Sequence, residues 1–126
     1  MNPVFLYVYL GMAYKNKDVQ KAFAVKHYEE NKALYKERAR LCTLRTRLKT
    51  RAYVDEYLAS NPCVDCGEPD SIVLEFDHIV GEKDGNISDM IHKGFSMARI
   101  QKEISKCEVR CANCHRRATY YRRKEI

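Results

Sequence analysis

Two Cys-x2-Cys pairs constrain this chain more than any other feature of its sequence. Cys63 and Cys66 form the first pair, Cys111 and Cys114 form the second, and 44 residues separate the two pairs. Two such pairs are typical of a tetrahedral four-cysteine zinc site, in which each sulfur lies about 2.3 Å from the metal. A disulfide pair or four buried free thiols are the alternatives. The spacing favours one structural Zn²⁺ ion held by both pairs.

The size of the cysteine-bearing segment makes such an ion a folding requirement. Residues 61–126 number only 66, and an apolar core alone is barely sufficient at that size. A structural zinc ion contributes an apparent 10–16 kcal/mol, roughly, to a small fold. Gly67 follows the first pair, where a tight turn needs a residue without a Cβ atom. The second pair opens a predicted helix, whose N-terminal dipole favours thiolates.

The elements predicted around the cysteines are of both types, which gives the α+β class. Residues 72–80 are rich in β-formers and predict a strand, and residues 81–94 read as a loop. Ser96 is a typical N-cap for a short helix. Residues 107–110 predict a second strand, and residues 112–124 a final helix that carries many arginines.

The segment before the cysteines is predicted to be helical. Residues 15–59 contain no proline and no glycine, which predicts one long helix or two helices broken near residues 41–46. Apolar residues become denser toward its end, so we expect the last two or three turns to pack on the remainder and the earlier turns to be solvated. The predicted organisation is a candidate non-native or flexible extension (1–11), a basic helical arm (12–60) and a compact domain (61–126).

The positive charge of the chain is concentrated in the arm. The net charge is +6, from 23 Lys and Arg against 17 Asp and Glu, and residues 61–126 carry 11 of each sign. Charge runs on helices are usually solvated faces, but this density of like charges is costly without a polyanion. We therefore expect DNA as the partner, with phosphate contacts in the arm from Arg38, Arg40, Arg45, Arg47, Lys49 and Arg51.

No membrane partner and no secretion are expected. The only apolar run, Val4 to Leu10, is far shorter than the roughly 20 residues that span a bilayer. No lysine or arginine precedes it, so it lacks the basic region of a signal peptide. We expect a reducing, cytoplasmic compartment, in which cysteines are more often metal ligands than disulfides.

Three motifs follow one another between Pro62 and Thr119. They are Cys-x2-Cys-Gly, Leu-Glu-Phe-Asp-His-Ile and Lys-Cys-Glu-Val-Arg-Cys-Ala-Asn-Cys-His-Arg-Arg. In content and order they resemble the HNH endonuclease family, the zinc-stapled branch of the ββα-metal nucleases. The resemblance implies a ββα-metal (HNH) nuclease core with four-cysteine zinc knuckles, preceded here by the long basic arm. Compact proteins of this kind are frequent in phages and mobile elements, which suggests a phage protein acting in the host cytoplasm.

The resemblance also implies a catalytic site. Asp77 and His115 would bind one catalytic divalent ion, Mg²⁺ or Mn²⁺, and His78 would be the general base. A cation that contacts a non-bridging and the leaving oxygen of a phosphodiester makes attack by water easier. Removal of the water's proton by histidine contributes about 10²–10⁴-fold. The products that the family implies are 5′-phosphate and 3′-hydroxyl ends.

The last predicted helix carries further candidates for DNA contact. Thr119 and Arg122 lie four and seven residues after His115, and therefore share its helical face. Arg116 and Arg117 flank His115 in the sequence. We predict that these four side chains bind the DNA backbone at the cut site.

The chain differs from the family pattern in one motif, and in another the family roles do not fit regular strand geometry. Lys106-Cys107 stands where the family usually has an Asn-Leu pair, and Asn86 and Asn113 are candidates to replace that asparagine. Regular alternation would direct Asp77 and His78 to opposite faces of a strand. We therefore expect the strand to end, twist or bulge at that pair.

Less specific interpretations stay open beside these. His115 also fits a helix-surface histidine or a residue near the zinc, and Cys107 also fits a substitute zinc ligand. His78 also fits an ordinary half-buried strand residue. The competing function is a non-catalytic zinc-stapled nucleic-acid-binding module. Such a module has no need for Asp77, His78 and His115 together.

Overall fold

The computed structural model describes residues 16–125 and has the predicted α+β class. The elements, in chain order, are α1 (Lys17–Glu30), α2 (Lys32–Ser60), β1 (Leu74–His78), α3 (Ile87–His92), α4 (Met97–Ile104), β2 (Cys107–Cys111) and α5 (Ala112–Lys124). The predicted extension, residues 1–11, lies outside the described residues. None of the helices within 16–125 has both the length and the apolar character of a membrane span.

The described residues form two compact units, with the boundary between Arg40 and Leu41. In the described part of the first unit, α1 has no buried residue, as expected for the solvated early turns. The helical segment breaks at Asn31, so the break predicted near residues 41–46 is wrong. The Asn31 side-chain amide donates to the carbonyl of His27 at 2.8 Å. Asparagine competes in this way for backbone groups of a helix. The Thr46 hydroxyl also donates to a backbone carbonyl, that of Cys42, but α2 continues through it without a break.

The apolar core of the second unit consists of two adjoining clusters. The first contains Val54, Ile87, Met90, Ile91, Ile100 and Ile104, and the second contains Cys63, Leu74, Val109, Cys111 and Cys114. Tyr57, Leu58 and Phe76 pack against both. Since Val54, Tyr57 and Leu58 belong to the end of α2, the prediction that its last turns pack on the remainder is confirmed. The second cluster is made largely of cysteines, which are metal ligands as well as core residues.

Helix α3 lies within residues 81–94, where the sequence predicted only a loop. Ile87, Met90 and Ile91 are all buried, at the i, i+3, i+4 spacing of one helical face. Three apolar residues are too few to stand out beside the glycines and charges that flank them. The prediction is therefore wrong for 87–92, and the helix supplies half of the first core cluster.

The two strands pair antiparallel in a continuous register. Leu74 lies opposite Cys111, Phe76 opposite Val109, Asp77 opposite Glu108, and His78 opposite Cys107. Strand β1 is shorter than the predicted 72–80, because residues 71–73 form a turn of 3-10 helix before it. Alternation places Leu74, Phe76 and His78 on one face of β1, and Glu75 and Asp77 on the other.

The remaining predicted elements are confirmed. Strand β2 contains the predicted 107–110 with Cys111 added, and α5 has the predicted bounds. The Ser96 hydroxyl accepts a hydrogen bond from the backbone N–H of Arg99 at 3.4 Å, which makes it the N-cap of α4. Cys111 is the N-cap of α5. Strand β2 therefore passes into α5 without a loop, and the second cysteine pair lies at that junction.

Gly94 provides a test of how α2 packs in the second unit. Its φ is +74°, and an added Cβ would lie 2.7 Å from Cγ2 of Thr43 on α2. Gly94→Ala should therefore lower the free energy of unfolding by at least about 2 kcal/mol, from backbone strain and steric overlap. Gly85→Ala is the matched control, because its added Cβ would lie 3.5 Å from Cγ of Met90, an ordinary contact. If chemical denaturation shows the same loss in the free energy of unfolding for both variants, this packing is wrong.

Candidate functional site

The four predicted zinc ligands lie together. The Sγ atoms of Cys63, Cys66, Cys111 and Cys114 are all within 4.8 Å of one another, and those of Cys66 and Cys111 are 3.7 Å apart. Sulfurs at about 2.3 Å from a tetrahedral ion are separated by about 3.8 Å. A disulfide needs about 2.05 Å, and all six cysteines are free. The four sulfurs can therefore hold a structural metal ion such as zinc.

Backbone geometry brings the two pairs together. Gly67 has a φ of +76°, and its N–H donates to the carbonyl of Cys63 at 2.9 Å, which closes the predicted tight turn. The N–H of Val64 donates to the carbonyl of Val109 at 3.0 Å. This bond attaches the first pair to β2. Cys111 ends that strand, so the first pair lies beside the second.

The thiols of the cluster differ in acidity. Burial raises the pKa of Cys63, but backbone N–H groups, that of Cys111 first, outweigh burial and lower the pKa to about 6. The hydrogen bond with the Cys111 side chain raises the pKa of Cys114 to about 12. One thiolate is therefore favoured without a metal, because the nearby sulfurs repel further negative charge. A divalent cation removes that repulsion and allows the remaining thiols to ionise.

Cys107 does not belong to this cluster. Its thiol donates to the carbonyl of Glu103 at 3.3 Å, and burial raises its pKa to about 11. Among residues 16–125, Cys63, Cys66, Cys111 and Cys114 are the only group of three or more ligand-type side chains that can share one ion. The alternative in which Cys107 replaces a ligand has no support in this arrangement.

Asp77 is a buried carboxylate with three nitrogen neighbours. Its side chain is 3% exposed. Oδ2 accepts from Nη1 of Arg110 at 2.7 Å, and Oδ1 accepts from Nη2 of Arg122 at 2.6 Å. Nε2 of His115 lies 3.3 Å from the same Oδ1. The structure thus brings the two predicted divalent-ion ligands together, with the guanidinium of Arg122 beside them.

Arg110 connects Asp77 to the cysteine cluster. Besides Asp77, it binds Asp65 through Nε at 2.8 Å and Glu108 through Nη2 at 2.6 Å. Burial lowers the pKa of Arg110, but the carboxylates, Asp65 first, outweigh that effect and raise it. Asp65 lies between the two cysteines of the first pair. A shift of that pair would therefore be transmitted to Asp77.

His115 is oriented by a second carboxylate. Its Nδ1 lies 2.7 Å from Oε2 of Glu75, while its Nε2 faces Asp77. Glu75 and Asp77 are two residues apart on one face of β1, so both reach the same side of α5. A carboxylate at one histidine nitrogen commonly orients the other nitrogen for metal binding. The helix-surface interpretation of His115 does not account for this pair of contacts.

His78 lies on the other side of β1. Its Nε2 is 2.7 Å from Oε1 of Glu103 on α4, and its side chain is 15% exposed. Its backbone carbonyl accepts a hydrogen bond from Nη1 of Arg122 at 3.2 Å. The sequence predicted that the strand would end, twist or bulge at Asp77 and His78. It ends at His78, with no break in its register. Asp77 and His78 nevertheless point to opposite faces.

Two cavities border these histidines. A cleft of about 350 Å³ between α2, β1 and α3 is lined by apolar core residues and by polar side chains, which are Arg51, Asp55, Glu75, His78, Asn86, Ser88 and His115. A wider groove of about 660 Å³ runs along α5, and its lining includes Glu75 and His115 as well as Arg116, Thr119, Tyr120 and Arg123. The Glu75–His115 pair lines both cavities. His78 and His115 therefore reach one space, although they belong to different faces.

The four side chains of α5 that were predicted to contact nucleic acid lie in three different environments. Arg116 and Thr119 line the groove along α5, and Arg117 is exposed but lines neither cavity. Arg122 is bound to Asp77 and to the carbonyl of His78. Three of the four predicted side chains are thus at or next to the candidate site.

The predicted contacts on α2 are mostly exposed. Arg40 is paired with Glu37 at 2.9 Å, and Nε of Arg47 is buried without a hydrogen-bond partner. Arg51 lines the cleft that contains His78. Exposed side chains are also found at Arg38, Arg45 and Lys49.

The loop after β1 is held by a group that the sequence did not suggest. Asn86 donates to Asp89 at 3.1 Å, and Asn113 lines the groove along α5. The backbone N–H of Asp84 instead donates to Oε1 of Glu103 at 3.1 Å. A signal for Glu103 did exist, because it lies beside Ile100 and Ile104 on an otherwise apolar face of α4.

The chain matches no protein-family model, no curated protein and no solved structure. The resemblance to HNH endonucleases stays a prediction from its motifs. What supports a function for Asp77, His78 and His115 is the set of contacts described above.

The cysteine cluster predicts a metal-dependent fold. Metal analysis of the purified chain should find one zinc ion per molecule, and removal of that ion by a chelator should abolish the cooperative thermal transition, because structural zinc contributes about 10 kcal/mol or more. Cys63→Ser should lower the zinc content and destabilise the fold. Cys42→Ser, at an exposed cysteine on α2, is the control and should change neither. Full zinc occupancy in Cys63→Ser would contradict the assignment.

Proposed function

We propose that the chain is a metal-dependent endonuclease of the HNH type, which hydrolyses DNA phosphodiester bonds. The observation that carries the proposal is that His78 and His115 line one cleft, while Oδ1 of Asp77 lies 3.3 Å from Nε2 of His115. A structural zinc ion on the four cysteines and a reducing, cytoplasmic setting belong to the same proposal. A phage protein acting in its host's cytoplasm fits this setting.

Asp77 and His115 suit a catalytic divalent ion. Neighbouring ligands of an octahedral ion with bonds of about 2.1 Å are roughly 3 Å apart, close to the 3.3 Å between Oδ1 and Nε2. An oxygen and a nitrogen donor leave positions for water and phosphate oxygens. Mg²⁺ or Mn²⁺ bound there would neutralise charge on the phosphate and on the leaving oxygen.

Arg122 has a specific role in this proposal. Its guanidinium binds Oδ1 of Asp77 at 2.6 Å, the oxygen that would bind the metal ion. A cation held at Oδ1 would repel the guanidinium, so Arg122 would then be available to bind a DNA phosphate. Arg110 stays on Oδ2 and keeps the buried carboxylate in place.

His78 is the proposed general base. A water molecule attacks the phosphorus while a ring nitrogen of His78 takes one of its protons. The bond between phosphorus and the 3′ oxygen breaks, and that oxygen takes a proton from solvent water. The products are a 5′-phosphate and a 3′-hydroxyl, and His78 later returns its proton to solvent. Such base catalysis is worth about 10²–10⁴-fold.

DNA contact is assigned to two basic surfaces. Arg116, Thr119 and Arg123 line the groove next to His115, where a phosphate backbone would meet positive charge and a hydroxyl donor. The second surface is the basic stretch of α2, from which Arg51 lines the cleft. These contacts are to phosphates, so they position the duplex without selecting its sequence.

One observation favours the competing function, a non-catalytic zinc-stapled nucleic-acid-binding module. Both oxygens of Asp77 are bound by arginines, which is a complete structural role for a buried carboxylate. In such a module His78 and His115 would also be structural. Cleavage activity decides between the two functions.

A plasmid-nicking assay tests the catalytic assignment. The zinc-loaded chain with Mg²⁺ or Mn²⁺ should convert supercoiled plasmid to nicked or linear forms. His78→Ala and His115→Ala should each reduce the rate by at least about 100-fold, because each removes a group that contacts water or metal. His92→Ala changes an exposed histidine at the end of α3 and should cleave like the unchanged chain.

Two results would contradict this account. Unchanged cleavage by folded, zinc-loaded His78→Ala would show that His78 is not the base. No cleavage of single- or double-stranded DNA with any divalent ion would favour the binding module.

The salt dependence of binding tests the basic stretch of α2. The double variant Arg45→Gln/Lys49→Gln removes two exposed charges and should flatten the slope of log K against log salt by about 0.9 for each lost phosphate contact. Lys17→Gln/Lys21→Gln, which removes two exposed charges from α1, is the control and should leave the slope unchanged. Equal slopes for all three proteins would count against DNA contact by α2.

A further inference from the structure

Glu103 is a fully buried charged group that the proposed mechanism does not use. Its side chain is 0% exposed and lies beside Ile100 and Ile104 in the first core cluster. Oε2 accepts from Nζ of Lys106 at 2.7 Å. Oε1 lies 2.7 Å from Nε2 of His78 and 3.1 Å from the backbone N–H of Asp84. Both carboxylate oxygens therefore have hydrogen-bond partners.

The surroundings of Glu103 keep it ionised. Burial alone raises the pKa of a carboxyl group, but Lys106 first, then His78 and the backbone of Asp84, outweigh burial and lower the pKa of Glu103 to about 2. An ionised carboxylate can only accept hydrogen bonds. The contact with His78 is therefore one in which Nε2 carries the hydrogen and donates it.

This contact fixes which ring nitrogen of His78 is free. A neutral imidazole carries one hydrogen, so a hydrogen on Nε2 leaves a lone pair on Nδ1. Within residues 16–125, the ring of His78 has no hydrogen-bond partner other than Glu103. His78 also lines the cleft. Nδ1 is thus the nitrogen that is able to take a proton.

We infer that Glu103 is the positioning residue for His78: its carboxylate holds the imidazole as the Nε2–H tautomer and directs Nδ1 to act as the proton acceptor. The inference rests on the proposed function of His78 as the general base. When Nδ1 takes a proton from water, the ring becomes a cation with its Nε2–H still bonded to Glu103. The buried carboxylate then stabilises that charge, as in other carboxylate–histidine pairs.

A purely structural role of Glu103 must be separated from this one. Glu103 also holds the loop after β1, through Asp84, and pairs with Lys106. Lys106→Met is the matched control. It removes the ion pairs with Glu103 and Asp84 and the bond from Nζ to the carbonyl of Glu82, but leaves the contact with His78. Both variants lose stability, and only Glu103→Gln alters the partner of Nε2.

The test measures the tautomer of His78 directly. Long-range ¹H–¹⁵N spectra of the full chain, zinc-loaded and labelled in its histidines, report which nitrogen carries hydrogen, and His78→Gln identifies the signals. The unchanged chain should show hydrogen on Nε2. Glu103→Gln should shift most of the population toward Nδ1–H, because the glutamine amide donates to Nε2. Lys106→Met should keep the Nε2–H form, because the contacts with His78 and the backbone N–H of Asp84, which also lower the pKa of Glu103, remain.

Plasmid nicking by the same proteins gives the catalytic consequence. Glu103→Gln should lower kcat by at least about 100-fold with KM within about twofold, and Lys106→Met should keep kcat within about threefold. Hydrogen on Nδ1 in the unchanged chain overturns the inference, whether or not the variants fold. So does an equal change of tautomer or of kcat in both variants.

The proposed nuclease function and the positioning role of Glu103 can be contradicted separately. If the unchanged chain cleaves no DNA, the proposed function is wrong, and with it the role of Glu103 in positioning a base. The spectra would still show whether Glu103 holds the Nε2–H tautomer. If the chain cleaves DNA but Glu103→Gln keeps both tautomer and kcat, only the positioning role is wrong.

Discussion

The rest of the second unit depends on the convergence of four sulfur atoms from two segments 44 residues apart. One segment is a tight turn without regular structure, and the other is the junction between β2 and α5. Because Cys111 ends the strand and begins the helix, the position of the sulfurs also sets the direction in which α5 leaves the sheet. A metal ion on these sulfurs would add stability that the small apolar core of this unit does not supply alone.

The candidate catalytic groups are connected to that cluster by ion pairs. Asp65, inside the first Cys-x2-Cys turn, binds Arg110, and Arg110 binds Asp77. Asp77 in turn lies next to His115, the residue that directly follows Cys114. The proposed divalent-ion site is therefore linked to the cysteine cluster through Asp65 and Arg110. Loss of a structural ion would be expected to disturb that proposed site.

The second unit buries two carboxylates, and each is placed by a different set of cations. Asp77 is bound by two arginines, whereas Glu103 is bound by Lys106 and His78. Burying a charge is costly unless it is paired and hydrogen-bonded. The two carboxylates contact groups on opposite faces of one short strand. In the proposed nuclease, these contacts would orient Asp77 and His78 toward a shared substrate.

The sequence predicted the elements that have strong local signals. Ser96 correctly indicated α4, the cysteine spacing indicated the cluster, and the predicted strand over residues 107–110 corresponds to β2. The break at Asn31 and the helix within 81–94 were missed, because one asparagine and three apolar residues are weak signals.

Apart from the cysteine cluster and the Asp77–His115 pair, contacts across the fold could not be predicted. Arg110 reaches Asp77 through the strand pairing, and Glu75 reaches His115 through the packing of α5 on β1. No local pattern encodes the strand register. Glu103 was visible as a charge on an apolar helical face, but its partner, His78, lies 25 residues earlier in the chain.

The most direct test of the central claim is the X-ray absorption spectrum of the zinc-loaded chain at the zinc edge. The account predicts a single shell of four sulfur atoms at about 2.3 Å. A shell that includes nitrogen or oxygen would contradict it, because His115 or Asp77 would then share the structural ion and the two proposed metal sites would not be separate.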